Sequence, residues 1–345
     1  MGSQILDEQT GILPVLSLSQ TTSFQQEIDE KRARERKNQI NFEQQLFSLN
    51  FVQNQKMNPH VSLETAIGDC GPIRSGETVV IKRANYLADG SLDSAALDEE
   101  ARFLRDCQML GIVNLRNYVR GYALVLGEIR TETGHETFND WIKSNPYRRE
   151  NHLNTAVLDV LMKLVVTTEQ IHKRNIIHRD LKEANILMGG TAEQPAPVIA
   201  DFGNACYAGT VPQGRKISAG SLTAMPPEQF NSEAQARKES DIYALGVLMY
   251  HALTGFPSRS PDELEQFATS PKKEFPKLVA SVRDRNDYVS TALAKVVEHC
   301  LNSDYAHRPS LAEVRDALSK EQAYAQCINA AGLKGIATRT MARVA

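Results

Sequence analysis

A polar segment at residues 178–185, His-Arg-Asp-Leu-Lys-Glu-Ala-Asn, follows a predicted amphipathic helix over Leu158 to His172. The segment places a carboxylate (Asp180), a cation (Lys182) and a carboxamide (Asn185) within one loop. A solvated loop of no function is the alternative, but these residue types seldom occur by chance at this spacing. We therefore interpret the segment as a functional loop between a helix and the elements that follow it.

A second acidic residue lies sixteen positions past Asn185, in Val198-Ile199-Ala200-Asp201-Phe202-Gly203. The apolar residues predict a short strand that ends at Asp201. An Asp-Phe-Gly alone is common in turns, but here it follows the first loop. Together the two segments resemble the catalytic loop and the magnesium-binding Asp-Phe-Gly of the protein kinase family. The resemblance extends over roughly Val61 to Lys320, about three quarters of the chain.

The resemblance implies a role for each of these side chains in phosphate transfer from ATP. Asp180 would accept the proton of the substrate hydroxyl, and Lys182 would neutralise the moving phosphate. Asn185 and Asp201 would bind Mg²⁺, or Mn²⁺ in its place, because these ions prefer hard oxygen donors. ATP and Mg²⁺ are therefore the expected cofactors. Lys182 is typical of the Ser/Thr class, so the expected partner is a protein with a Ser or Thr hydroxyl.

Upstream, the run Val79-Val80-Ile81-Lys82 predicts a strand that carries a lysine near its end. Such a lysine alone could simply reach solvent. In the family it contacts the inner phosphates and pairs with a glutamate on the lone helix of the small lobe. We expect Glu100 to be that glutamate, with Glu99 as the alternative. The choice follows from helical spacing, since Phe103 and Leu104 then face inward beside Glu100.

The segment at residues 66–73, Ala-Ile-Gly-Asp-Cys-Gly-Pro-Ile, is similar to the glycine-rich turn that covers the phosphates in this family. It departs from the pattern: Ala66 replaces the first glycine, Pro72 lacks a backbone N–H, and eight residues separate Ile73 from Lys82. A plain glycine-containing turn is the alternative. The ATP contacts expected from the resemblance are Ala66, Ile67, Gly68, Gly71 and Ile73.

Four positions are expected around the adenine. Val80 replaces the family's small alanine and would narrow the roof of the pocket. Leu126 is the expected gatekeeper, and Glu128 lies in the linker 126–129, whose backbone groups would pair with the adenine edge. Leu187 would form the floor.

Supporting contacts are also implied. Glu228 is expected to form a buried structural ion pair with Arg308, and Asp241 to accept hydrogen bonds from backbone amides of the catalytic loop. Ser221 is expected to hydrogen-bond toward that loop.

Arg179 lies beside Asp180 and is a cation that a phosphate on the activation loop could engage. Ser218 is the best-placed hydroxyl to carry such a phosphate, because a phosphoserine pairs readily with arginine. A merely solvated Ser218 is the alternative.

The order of patterns predicts an α+β fold with two lobes, a small antiparallel β-sheet lobe with one helix and a larger, mainly α-helical lobe. Residues 1–58 are expected to form an N-terminal extension, a flexible tail and then helix to about Gln55. The small lobe is expected over 59–129, the large lobe over 130–320 and a C-terminal tail over 321–345. The N-terminal helices would either clamp the small lobe or bind a regulatory partner.

Composition excludes several other classes. The formal charge of −3 provides no basic field for nucleic acid or an acidic membrane. The five cysteines are odd in number and far apart, which favours neither a disulfide framework nor a zinc site. No apolar stretch is long enough to span a bilayer. A cytoplasmic location is expected, and secretion into the cytosol of another cell stays open.

The leading hypothesis is a protein serine/threonine kinase that transfers the γ-phosphate of MgATP to protein hydroxyls, its own included. A pseudokinase scaffold with weak or no nucleotide binding is the alternative, favoured by the altered glycine turn and by Val80. A small-molecule kinase is less favoured, because residues 220–228 resemble a platform that docks peptides.

Overall fold

A five-stranded sheet forms the first part of the fold in a computed structural model of the chain. The structure describes residues 51–58, 60–67, 69, 72–84, 93–129, 136–149, 152–212, 219–231, 233–269 and 274–331. The strands are β1 (Phe51–Asn58), β2 (Val61–Ala66), β3 (Thr78–Arg83), β4 (Leu115–Val119) and β5 (Ala123–Gly127). They lie in the order β1-β2-β3-β5-β4. The β-branched residues at 78–81 suit the central strand β3.

One helix, α1 (Ser94–Asp106), packs against β4 and β5 of this sheet. It begins after Asp93, whose side chain accepts a hydrogen bond from the backbone of Ala96, as N-cap residues do. Leu97 and Leu104 recur at helical spacing on its buried side. Glu100 lies between them on the same side and is therefore directed into the protein.

The sheet begins earlier than the sequence pattern predicts. The prediction of a helix to Gln55 and of a small lobe from residue 59 is wrong for residues 51–58, which form β1 at the edge of the sheet beside β2. The segment is polar and carries no clear period, so its pairing with β2 decides its conformation. The predicted flexible tail and helix over residues 1–50 lie outside the described residues.

The second part of the fold is mainly helical. Its most buried element is α4 (Lys238–Thr254), in which every residue from Ser240 to Tyr250 is buried. A helix that is apolar on all sides belongs in a core. The other helices are α2 (Phe138–Ser144), α3 (Thr155–Lys173), α5 (Pro261–Thr269), α6 (Val282–Arg285), α7 (Thr291–Cys300) and α8 (Leu311–Ala331).

Short strands complete the large lobe, and two of them flank the predicted functional loop. The pairs are β7 (Arg148–Arg149) with β8 (His152–Leu153) and β9 (Ile176–Ile177) with β12 (Cys206–Tyr207). A three-stranded sheet has the order β11 (Pro195–Ile199), β10 (Ile186–Gly190) and β6 (Glu136–Thr137). Residues 178–185 thus connect β9 to β10, and Asp201 follows β11.

Helix α8 extends the large lobe past its predicted end at residue 320. The hydroxyl of Tyr147 donates to the buried carboxylate of Glu321 (2.8 Å), and Asn329 exchanges two hydrogen bonds with the backbone of Leu153 (2.7 and 2.9 Å). The prediction of a tail from residue 321 is therefore wrong as far as Ala331. The apolar pattern of α8 is weak beyond residue 320 because polar and small side chains make these contacts. Residues 332–345 are outside the described part of the chain.

The architecture confirms the predicted α+β fold, a small antiparallel β-sheet lobe that carries α1 and a larger, mainly helical lobe. In the described ranges, no helix is both long and apolar enough to cross a membrane.

Glu321→Ala should destabilise the protein, because it removes the acceptor of the buried Tyr147 hydroxyl and of the Ser290 amide. We expect the free energy of unfolding in urea to fall by about 1–3 kcal/mol. Lys320→Ala is the control, since its ion pair with Asp316 is exposed and should be worth less than about 1 kcal/mol. Equal unfolding free energies for the two variants would contradict the packing of this part of α8 into the lobe.

Candidate active site

The ammonium group of Lys82 joins strand β3 to helix α1 and to the segment after β11. Its Nζ lies 2.8 and 2.7 Å from the two carboxylate oxygens of Glu100 and 2.7 Å from Oδ1 of Asp201. The side chain of Glu100 is buried, whereas that of Asp201 is 45% exposed. Glu99 instead pairs with Arg102 on the exposed side of α1. The structure therefore selects Glu100 over Glu99 as the partner of Lys82.

The charges of this cluster support one another. Burial disfavours a charged Lys82, but the carboxylates of Glu100 and Asp201 outweigh it and raise the pKa of Lys82 above its ordinary value. Partial burial acts to raise the pKa of Asp201, yet the Lys82 ammonium lowers it overall. Burial raises the pKa of Glu100, and Lys82 opposes that rise. At neutral pH, Asp201 is thus a carboxylate and Lys82 a cation.

The carboxylate of Asp180 is held by three donors on one oxygen. Its Oδ2 accepts hydrogen bonds from Lys182 Nζ (3.0 Å), Asn185 Nδ2 (3.1 Å) and Asn204 Nδ2 (3.3 Å). None of the described residues donates to its Oδ1. The amide nitrogen of Asn185 is engaged on Asp180, so its amide oxygen is directed elsewhere and is a suitable metal ligand.

Asn185 and Asp201 come together at the open end of one hairpin. Strands β10 and β11 pair antiparallel with Ile186 opposite Ile199. Asn185 directly precedes the first strand, and Asp201 lies two residues past the end of the second. The backbone N–H of Ala200 donates to the carbonyl of Asn185 (2.9 Å). The two predicted metal-binding residues are therefore neighbours.

Asp241 on α4 holds the start of the loop, as predicted. Its carboxylate accepts hydrogen bonds from the backbone amides of His178 (2.9 Å) and Arg179 (2.8 Å) and lies 2.8 Å from Nε2 of His172. Complete burial acts to raise the pKa of Asp241, but the hydrogen bond and charge of His172 and the neighbouring His178 lower it. Asp241 is thus a buried carboxylate that stays ionised because it accepts hydrogen bonds from backbone amides of the loop.

Two residues of the site have left-handed backbones, Arg179 (φ 64°) and Asp201 (φ 62°). This conformation costs a non-glycine residue roughly 1–3 kcal/mol. The hydrogen bond from Arg179 N to Asp241 and the ion pair of Asp201 with Lys82 offset that cost.

His178 and Asn204 belong to the site but were absent from the predicted set. The buried ring of His178 accepts the Asp180 N–H on Nδ1 (3.3 Å), and its Nε2 lies 3.1 Å from the carbonyl of Ala200. It also packs edge-on against Phe202, with centroids 4.7 Å apart. His178 thus joins the two predicted segments. The only sequence signals that could have identified these two residues are the position of His178 two residues before Asp180 and that of Asn204 directly after Gly203.

The glycine-containing turn does not lie over Lys82. In the antiparallel pair of β2 and β3, Val61 is opposite Lys82 and Thr65 is opposite Thr78. The connection at residues 67–77 therefore closes this hairpin at the end remote from Lys82, roughly 13 Å along β3.

The structure therefore places Ala66, Ile67 and Ile73 away from Lys82, and their contact with ATP stays a prediction. Ala66 and Ile73 are buried, and Ile67 is exposed at the remote end of the hairpin. The physical reason is length: the eight residues between Ile73 and Lys82 already include most of β3, which leaves no room for an intervening strand. The remaining two members of the predicted set, Gly68 and Gly71, are not among the described residues.

The connection between β1 and β2 lies beside Lys82 instead. Val61 is the cross-strand partner of Lys82, and Arg83 donates its N–H to the carbonyl of His60 (2.7 Å). Residues 58–61 read Asn-Pro-His-Val and include no glycine. A search for glycines therefore could not find this connection.

The predicted adenine positions are partly brought together. Val80 and Leu126 are direct cross-strand partners on the face that carries Lys82. Glu128 follows β5 and Leu187 lies in β10, and both are half-buried. Their contact with adenine stays a prediction.

Glu228 and Arg308 form the predicted buried ion pair, with N–O distances of 2.7 and 2.9 Å. The guanidinium also donates to the carbonyl of Glu239 (2.8 Å). This pair anchors the segment that carries Glu228 to the segment that precedes α8. Ser218 lies outside the described residues, as does the side chain of Ser221, so both predictions stay open.

Comparisons with known proteins agree with this geometry. The family model of the protein kinase domain matches residues 66–318. Serine/threonine/tyrosine-protein kinase HT1 of Arabidopsis thaliana is 29% identical over 176 residues, 50% of this chain and 41% of that protein. The Raf homolog serine/threonine-protein kinase of Caenorhabditis elegans is 24% identical over 276 residues, 75% and 32% of the two chains. Serine/threonine-protein kinase pkn3 of Myxococcus xanthus is 30% identical over 172 residues, 48% and 31%. The chain thus matches less than half the length of each relative.

Asp241→Asn should destabilise the protein in a pH-dependent way. The variant leaves the buried amides of His178 and Arg179 without a charged acceptor, so we expect the free energy of unfolding at pH 7 to fall by about 2–5 kcal/mol. The folded-state pKa of Asp241 is depressed. Its contribution is therefore complete above the unfolded pKa of about 3.9 and is lost as the pH falls through the folded value.

Urea denaturation of wild type and Asp241→Asn from pH 7 to pH 3 measures this contribution. The stability difference should narrow below about pH 4. Asp316→Asn, on the exposed side of α8, is the control and should change little. A constant difference between wild type and Asp241→Asn over this range would rule out an ionised Asp241 as the stabilising species.

Proposed function

This chain belongs to the protein kinase family, and we propose that it is an active enzyme that transfers the γ-phosphate of ATP to serine and threonine hydroxyls of proteins, its own included. The observation that carries the proposal is the contact of Lys82 Nζ with both Glu100 and Asp201. It places a half-buried cation and a half-exposed carboxylate side by side, which are the charges that phosphate and its metal ion require.

Asp180 has the geometry of a base that orients a hydroxyl. Three donors hold its Oδ2 in a fixed position, while among the described residues Oδ1 receives no hydrogen bond. A substrate hydroxyl can therefore donate to Oδ1. Lys182, bound to the other oxygen, keeps a positive charge beside the reacting phosphate, where it stabilises the charge of the transition state.

The residues around Asp201 fit a magnesium ion held together with ATP. Asp201 provides a carboxylate of lowered pKa and Asn185 an amide oxygen, and both are hard donors of the kind that Mg²⁺ prefers. Mn²⁺ fits the same donors. When bound, such an ion would neutralise part of the negative charge of the phosphates. Since this chain supplies few ligands, ATP oxygens and waters would complete the coordination.

Ser/Thr specificity is supported by Lys182 and by the names of the relatives, one of which also includes tyrosine. We also propose a cytoplasmic setting, since Cys107, Cys206, Cys300 and Cys327 are free thiols, which persist in a reducing compartment. A regulatory partner for the N-terminal segment stays a proposal.

A pseudokinase scaffold is the second candidate, favoured by one observation. His60 and Val61 lie beside Lys82 and Arg83, and the sequence that joins β1 to them, Asn-Pro-His-Val at residues 58–61, contains a proline and no glycine. Fewer amides would then be available for the phosphates, which would weaken nucleotide binding.

Phosphate transfer from labelled ATP with Mg²⁺ to generic protein substrates and to the chain itself tests the proposal. Asp180→Asn should lower kcat by roughly 100- to 10,000-fold, because it removes the proton acceptor. Asp316→Asn should behave as wild type. Transfer by wild type and by Asp180→Asn at the same rate would refute the enzymatic role.

The melting temperature separates the two candidates. MgATP should raise it for wild type and for Asp180→Asn, since a ligand that binds the folded state stabilises it. Lys82→Met should reduce that rise. A wild-type protein without transfer and without a shift at saturating MgATP would be a scaffold.

A further inference from the structure

A polar pair outside the residues assigned so far links the loop to the C-terminal end of α4. Nδ1 of His251 hydrogen-bonds to Oε1 of Glu183, and the two side chains are partly buried, at 19% and 30% exposed. Glu183 begins the 3-10 turn Glu183–Asn185. It therefore lies between Lys182 and Asn185, the cation and the carboxamide that both hold Asp180.

This pair gives the loop a second attachment to the same helix. Asp241 holds the amides of residues 178 and 179 near the N-terminal end of α4. His251 lies ten residues later, roughly 15 Å along the helix axis. Because α4 is buried from Ser240 to Tyr250, it is a rigid frame, and the loop is held near both of its ends.

We propose that His251 is a positioning residue for phosphate transfer. By holding Glu183 it fixes the 3-10 turn, in which Asn185 N–H donates to the carbonyl of Lys182 (2.9 Å). The turn in turn directs the amide of Asn185 onto Asp180, with Nδ2 2.8 Å from the Asp180 carbonyl and 3.1 Å from Oδ2. The inference rests on the proposed function, and neither member of the pair contacts the reacting atoms.

The Glu183–His251 pair affects the rate of phosphate transfer more than the affinity for ATP. The side chains expected around adenine, Val80 and Leu126, instead lie on β3 and β5 of the small lobe's sheet. A shift of about 1 Å in a group that must be aligned for transfer can slow the reaction by up to about 100-fold. Loss of His251 should therefore lower kcat while KM for ATP changes little.

Three variants test the pair through transfer kinetics. His251→Leu removes the hydrogen bond and should lower kcat about 10-fold. His251→Asn keeps a donor at the place of Nδ1 and should recover most of the rate. Glu183→Ala should match His251→Leu, and the double variant should lose no more than either alone, because both remove one interaction.

Thr254→Val is the matched control on α4. Its hydroxyl donates within the same helix end, to the carbonyl of Tyr250 (2.7 Å), and its hydrogen bonds with described residues are to Tyr250 and Phe256, not to the loop. It should retain wild-type kcat. Equal losses in Thr254→Val and His251→Leu would assign the effect to the helix end and overturn the proposal.

Hydrogen–deuterium exchange of the same variants provides a readout independent of activity. His251→Leu should speed exchange in a peptide over residues 182–187 and leave one over 241–250 unchanged. Wild-type exchange at 182–187 in both His251→Leu and Glu183→Ala would overturn the proposal. If wild type transfers no phosphate, the proposed function fails, and exchange alone decides whether His251 holds the turn.

Discussion

The arrangement of the candidate active site depends on the contact of the Lys82 ammonium group with the carboxylates of Glu100 and Asp201. It joins three stretches far apart in sequence: a sheet strand, the helix of the small lobe and the segment after β11. Glu100 is buried, and an uncompensated buried carboxylate is costly. The orientation of α1 therefore depends on the ammonium group, and the lowered pKa of Asp201 depends on it too.

The large lobe holds its part of the site on helix α4. Asp241 accepts the first amides of the loop, and His251 reaches Glu183 near its other end. These contacts offset the left-handed backbone of Arg179 and leave Asp180 fixed by three donors. The polar loop keeps its geometry because side chains of the buried helix α4 form hydrogen bonds with it. His178 extends this hydrogen-bond network to the segment that carries Asp201.

The parts of the site that could be predicted from sequence are those in which adjacent residues share one task. Asp180, Lys182 and Asn185 lie within one loop, so their spacing reveals their function directly. Glu100 could be predicted from helical spacing, because burial on α1 follows the same period as Leu97 and Leu104.

The errors arise where position depends on strand pairing or on weak patterns. The segment at residues 66–73 has two of the glycines of the family pattern, but it follows the start of the connection between β2 and β3, so the register of these strands carries its described residues away from Lys82. Strand β1 is polar and is defined by its place beside β2 rather than by its own pattern. The second half of α8 packs through the buried Glu321 and the half-buried Asn329, and an apolar pattern cannot predict contacts made by polar side chains. The contacts of Asn204 and His251 with the loop join residues that are distant in sequence, so only the folded structure reveals them.

A crystal structure of the chain with a non-hydrolysable ATP analogue and Mg²⁺ tests the central claim most directly. The account predicts Lys82 Nζ in contact with both Glu100 and a phosphate oxygen, with the metal ion bound by Oδ1 of Asn185 and the carboxylate of Asp201. A nucleotide bound elsewhere, or a metal ion bound without Asp201 while Lys82 turns away from Glu100, would contradict it.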